Sequence, residues 1–381
     1  MRLKIFITTA FCFAALTGVR AESVAVYLGT YTGGESSSKG IYRSVLELET
    51  GKLSEPVVAA EVKNPSFLEI HPGGKFLYAV SGAGGTGSVS AYAIDRETGE
   101  LKFLNQQPSG GAGPCHVSID HKGKNVLVAN YTSGSASVIP IKADGRLGKP
   151  TGFVQHEGSS VNPTRQQGPR AHSINVSGDD CFAFVTDLGI DKIMIYKLDV
   201  EKGTIAANEP AFAKVKDGAG PRHFSFGPKG KYAYVINELD CTITAFSYEP
   251  DSGALTEIQT VTTLPKGYDG SNTCAEIRVH PSGRFVYGSN RGHNSIAVYR
   301  ADPAKGTLTF VEHEGAEIKT PRNFNIEPTG KFCLVANEGG DSVAVFEIDQ
   351  ESGALEATGH KISVSKPVCV RFLGPSREIC K

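Results

Sequence analysis

At 381 residues, with 39 Lys+Arg against 40 Asp+Glu, the chain is long enough for a large core and close to neutral. No run of like charge breaks that balance, so the basic face that a nucleic-acid partner requires is missing. Beyond the N-terminus no stretch is long and apolar enough to span a bilayer.

Residues 1–21 read as a cleaved secretory signal. Arg2 and Lys4 precede the apolar run from Ile5 to Leu16, and Val19-Arg20-Ala21 offers small residues where a signal peptidase cuts. Cys12 follows Thr9-Ala10-Phe11, which does not match a lipoprotein processing site. The expectation is an exported protein, periplasmic or extracellular, with a mature domain of residues 22–381 that is not inserted in a membrane. Of eight cysteines seven remain after cleavage, irregularly spaced and without a Cys-x-x-Cys pair. That argues against a zinc site or a regular disulfide framework and for mostly buried thiols.

The mature part is built on a repeat of about fifty residues. Val24–Glu61 carries three short strands and a hairpin glycine. Six fuller units follow, beginning near Pro65, Pro114, Pro169, Pro221, Thr273 and Pro321. Each opens on a short run rich in β-branched and aromatic residues. A turn comes next, such as His71-Pro72-Gly73-Gly74 or Pro281-Ser282-Gly283-Arg284, and then a second such run. A third, alternating segment such as Ser295-Ile296-Ala297-Val298-Tyr299 leads into a hairpin with glycine at Gly51, Gly99, Gly145, Gly203, Gly253, Gly306 or Gly353. The glycine supplies the positive φ of a tight hairpin into a fourth strand. Four antiparallel strands per repeat describe a propeller blade. The seventh blade is short of its first strand, and Pro367-Val368-Cys369-Val370-Arg371-Phe372-Leu373 at the other end resembles a lone first strand. The predicted fold is therefore all-β, a seven-bladed β-propeller closed by pairing the N- and C-terminal strands in one blade, which removes free sheet edges.

In such a blade the segment before strand one and the loop after strand two share a rim, and there the sequence departs from scaffold. Before strand one stand Gly168-Pro169-Arg170-Ala171-His172, Gly220-Pro221-Arg222-His223 and Pro321-Arg322-Asn323. After strand two stand Asp187-Leu188, Asn237-Glu238, Asn290-Arg291 and Asn337-Glu338, and the long connections 156–168 and 265–273 open on the same side. Arg222, Arg291, Arg170 and Arg322, with His223 and Asn290, form a candidate binding set for an anionic substrate. Glu238 or His172 is the candidate proton acceptor from water. Arginine and glutamate at repeat ends can equally pair with each other to tie blades together. His71 and His280 fall on the opposite rim and read as structural. Asp187 and Asp191 could chelate calcium, although two carboxylates in a turn are usually just solvated. There is no Gly-x-Ser-x-Gly elbow, His-Glu-x-x-His motif or phosphate loop, and no tryptophan.

Tyr27-Leu28-Gly29-Thr30-Tyr31-Thr32, Gly220-Pro221-Arg222-His223-Phe224, Asn237-Glu238-Leu239, Ala275-Glu276-Ile277-Arg278-Val279-His280-Pro281 and Ser289-Asn290-Arg291-Gly292-His293-Asn294-Ser295 together resemble the bacterial lactonase propeller family. That family includes the propeller type of 6-phosphogluconolactonase and is related to fungal carboxymuconate cyclase. The resemblance runs from about Val24 to Leu373. It implies metal-free and cofactor-free hydrolysis of a sugar lactone, with a small anionic lactone as partner and with His172, Arg222, Glu238 and Arg291 in the site. Relatives often have His where this chain has Arg170. The alternatives are a muconate-type lactone cyclase and an exported platform that binds a protein or glycan on the same rim. A monomer is expected.

Overall fold

The computed structural model describes residues 22–82 and 86–374, so the predicted signal segment lies outside the described residues. Seven four-stranded antiparallel sheets account for nearly all of it. In chain order, blades 1 to 6 span residues 68–112, 114–155, 171–214, 221–262, 274–314 and 321–363. Blade 7 sets the C-terminal strand Pro367–Leu373 beside Ser23–Thr30, followed by Gly40–Glu47 and Val57–Glu61. The closing strands run antiparallel, from Ala25 opposite Leu373 to Thr30 opposite Pro367.

The first strand of each blade packs on the first strand of the next all the way round, so these strands line the central axis. Second strands such as Asn125–Asn130, Phe182–Asp187 and Phe332–Asn337 are buried along their whole length. Fourth strands such as Leu255–Thr262 are partly exposed at every position. The apolar core accordingly lies between blades. One cluster packs Phe184 and Ile195 of blade 3 on Phe224 and Phe246 of blade 4, and another packs Tyr287 and Val298 of blade 5 on Phe324 and Phe346 of blade 6. This is a sandwich of sheets repeated around a ring.

The hairpin glycines do more than turn the chain. Gly145 has φ +81°, and a Cβ there would meet the Phe76 ring of the preceding blade at 2.2 Å; Gly353, at φ +82°, would meet Phe285 at 2.3 Å. The carbonyls of these glycines accept the buried hydroxyls of Tyr78 (2.9 Å) and Tyr287 (2.8 Å). The repeat motif is therefore also the seam that joins neighbouring blades. On the rim away from the strand-one entrances, His71 and His280 bond the Gly123 and Gly330 carbonyls of the following blade at 3.0 and 2.8 Å, a structural role.

Candidate active site

Strand one carries an irregularity at the same place in several blades. Pro114 pairs with Asn130 and His116 with Ala129, which skips Cys115. In the same way His172 is skipped in blade 3, Arg222 in blade 4 and Arg322 in blade 6. A bulge of this kind turns one side chain out of the ladder. Here it turns Cys115, His172, Arg222 and Arg322 towards the axis, where they line a common pit with His223 and Asn323. Above the pit opens a cavity of about 440 Å³, to which Tyr131, Arg165, Glu238, Arg291 and Arg322 contribute.

Glu238 is the hub of this cavity. Its Oε1 accepts from Arg165 Nη2 at 2.7 Å, and its Oε2 accepts from Arg222 Nε at 2.9 Å and faces Arg291 Nη2 at 3.2 Å. Burial by itself would raise the Glu238 carboxyl, but the guanidiniums of Arg291 and then Arg222 hold it well below the usual carboxylate range. Arg222 is 3% exposed; burial, followed by Arg322 and Arg291, pulls it down to about 10, so it keeps its charge at neutral pH. Its Nη1 donates to the Ala275 carbonyl at 2.6 Å, and Nη2 has no hydrogen-bond partner among the described residues. Arg322 lies 3.8 Å from Glu338 and over the Tyr31 ring. Among the described residues, four guanidiniums thus face two carboxylates around one opening. The excess positive charge sits in a partly desolvated site, where it attracts an anion most strongly.

Three imidazoles occupy the axis below. The His172 and His223 rings are 5.3 Å apart, and those of His116 and His223 are 5.4 Å apart. Burial holds all three well below the ordinary histidine value, seconded by Arg222 for His172 and His223 and by His223 for His116. They are neutral at pH 7. His223 Nδ1 donates to Glu276 Oε1 at 3.0 Å. Burial also pushes the Cys115 thiol up to about 12, so it is no thiolate nucleophile at neutral pH.

Neutral buried histidines make the fold acid-sensitive. In the unfolded chain each titrates near 6.5, so below that pH the unfolded state binds more protons and stability falls as pH falls. The slope is about 1.4 kcal/mol per pH unit for each histidine, or about 4 kcal/mol for the three. Urea unfolding should show a clearly lower midpoint at pH 5.5 than at pH 7.5. Equal midpoints would mean that these imidazoles become charged within the fold.

Comparison with known proteins gives the family. The model of the family described as Lactonase, 7-bladed beta-propeller, matches residues 25–372. The chain belongs to this lactonase family.

The 6-phosphogluconolactonase of Bacillus subtilis is 41% identical over 91% of this chain and 97% of its own. That of Formosa agariphila is 34% identical over 79% of this chain and 86% of its own. Among solved structures, the periplasmic gluconolactonase of Pseudomonas aeruginosa is 33% identical, with a TM-score of 0.87 over 93% of this chain and 99% of that one. Lactone hydrolysis is the general chemistry to which these likenesses point.

Seen in this lactonase fold, His172, Arg222, His223, Glu238, Arg291 and Arg322 come together as the sequence suggested. Two predicted binding residues do not. Ala171, not Pro169, pairs opposite Asp187, so Arg170 falls one residue outside the strand; it turns along the rim to the Thr132 carbonyl at 2.9 Å and over Tyr131. Asn290 is fully buried beneath the site, donating to the Thr263 carbonyl at 2.8 Å and to Ser295 at 3.2 Å. Asn130 and Asn337 make the matching ties, to the Ser109 and Glu317 carbonyls in or just after the last strand of the preceding blade, which marks Asn290 as a clamp on the strand-two turn.

Nor do Asp187 and Asp191 lie solvated in their turn. Asp187 pairs with buried His156 at 2.6 Å, and Asp191 accepts from Ser160, Gln166 and the amides of Gly218 and Gly220. The described residues contain no cluster of three or more His, Cys, Asp or Glu suited to a metal. Of the described cysteines, Cys241, Cys274, Cys333 and Cys369 are buried, whereas Cys181 is exposed. The sequence reading missed Arg165 and Glu276 as site residues. Arg165 stands in the long 156–168 connection, whose opening on this rim was the available signal.

Proposed function

We propose that the protein hydrolyses a sugar lactone carrying a negative group, such as 6-phosphogluconolactone, to the open-chain acid without a metal ion. The observation that carries this reading is the ring of Arg165, Arg222, Arg291 and Arg322 around a mouth floored by neutral imidazoles. Arg291 and Arg322, 14% and 22% exposed, are accessible to the charged group of the substrate. Arg222 Nη2, without a partner among the described residues, suits the oxyanion that forms when water attacks the lactone carbonyl. A carboxylate held ionised by three guanidiniums is a weak base, so Glu238 serves as the anchor that sets the arginines, and proton transfer falls to the axial imidazoles.

A panel of 6-phosphogluconolactone, gluconolactone, a muconolactone and a homoserine lactone, followed by acid release near pH 6.5, tests this. Turnover with a lower KM for the anionic sugar lactone than for the neutral one is expected, unchanged by a strong chelator. Turnover of the muconolactone alone would favour a cyclase, and none at all an interaction platform. Rates lost to the chelator and restored by one divalent ion would overturn the metal-free reading.

Export through residues 1–21 is part of the same proposal, supported by the charged and apolar pattern of that segment and by the periplasmic relative. Protein recovered from the periplasm of a Gram-negative host should begin at Glu22. Recovery from the cytoplasm with Met1 intact would reject it.

A further inference from the structure

The pit beneath the substrate cavity has room for about one water, roughly 20 Å³, and its walls are polar. His223 forms part of that wall, and its Nδ1 proton is committed to Glu276. Glu276 is itself fixed: its Oε2 accepts from the Asn323 amide and faces Arg278 Nη2 at 3.4 Å, and it is 2% exposed. A carboxylate behind one imidazole nitrogen sets the tautomer and leaves the other nitrogen as an acceptor, as in hydrolytic triads. His223 Nε2 has no hydrogen-bond partner within the protein among the described residues. His172 has no such hydrogen bond: its Nδ1 meets the Cys115 thiol at 3.9 Å, and among the described residues no carboxylate hydrogen-bonds its ring.

We propose that the pit seats the hydrolytic water, that His223 Nε2 is the general base which activates it, and that Glu276 is the positioning residue behind that base. The proposal rests on the lactonase reading. The water oxygen forms a bond to the lactone carbonyl carbon while Nε2 takes one of its protons, and the carbonyl electron pair moves onto oxygen. Collapse of that intermediate breaks the bond to the ring oxygen, which takes the proton back from His223. The product acid then ionises to solvent, so base and charge are restored. His223 is faced by His116, His172 and Glu276 and by the guanidiniums of Arg222, Arg278, Arg322 and Arg371. Burial, and after it the cations, keep it unprotonated at neutral pH, while Glu276 stabilises the transient imidazolium.

The test uses the lactone from the panel that wild-type protein turns over, so failure of the lactonase reading shows earlier, as no turnover at all. His223→Gln should lower kcat about 10²–10⁴-fold with KM within threefold. Glu276→Gln should lower kcat and move the acid limb of kcat/KM to lower pH, since losing the carboxylate destabilises the imidazolium; Glu276→Asp should recover part of both. If His223→Gln leaves kcat within threefold while His172→Gln abolishes it, the base is His172 and the proposal fails. Should the variants not fold, nitrogen-15 histidine spectra of the wild-type protein still decide: His223 must carry its proton on Nδ1 at neutral pH, and a proton on Nε2 overturns the assignment.

Discussion

Deleting Pro367–Lys381 is expected to abolish cooperative folding. The deletion takes away the first strand of blade 7, which pairs with Ser23–Thr30 along its length and buries Val368, Cys369 and Val370 between blades 6 and 1. Each fully buried valine is worth about 1.5–3 kcal/mol, and the strand's ladder, Arg371–Glu69 contact and edge protection come on top. That total is comparable with the ~5–15 kcal/mol net stability of a typical domain. Thermal and urea melts of the truncated protein check it. A sharp transition within a few degrees of the full-length protein would show that the remaining blades close without the strand.

Glu238→Gln is expected to damage stability and activity together. The change leaves Arg222, buried and already depressed, without its counter-charge, and sets an amide donor against Arg165 or Arg291. Breaking a buried pair in this way costs about 3–5 kcal/mol, for a fall of roughly 5–10 °C in Tm. The Glu238 carboxyl is depressed in the folded state, so its contribution is complete above the unfolded carboxylate value of about 4.3 and is lost as pH falls through the folded one. The difference between the two proteins should therefore be full at pH 7 and shrink in strong acid. Catalytic efficiency should fall by about 10² or more as the guanidiniums lose their alignment. A variant with unchanged Tm and kcat reduced 10²–10⁴-fold would instead make Glu238 the base.

Much of this protein is written locally. Hairpin glycines at Gly51, Gly99, Gly145 and their equivalents, with turn motifs such as Pro281-Ser282-Gly283, recur because each blade needs the same positive φ and the same turn, and local backbone chemistry is legible in a chain. Blade count and closure follow from those repeats and from an N-terminal unit lacking its first strand. The clustering of Arg222, Glu238 and Arg291 is readable for the same reason, since strand topology alone puts both kinds of loop on one rim. What the tertiary structure decided depends on register and on contacts between blades. Pro169 looks like the equivalent of Pro221, but pairing of Ala171 with Asp187 passes the axial position to His172 and leaves Arg170 on the rim. The position of a bulge depends on which residues pair, and periodicity does not encode that. Arg165 reaches Glu238 from a loop 73 residues away in sequence, and Glu276 meets His223 from the first strand of the next blade, whose alternating pattern marks it only as one more inward residue. Such contacts exist only once seven sheets have closed into a ring, and there burial and neighbouring charge turn ordinary strand residues into a neutral imidazole and an ionised hub.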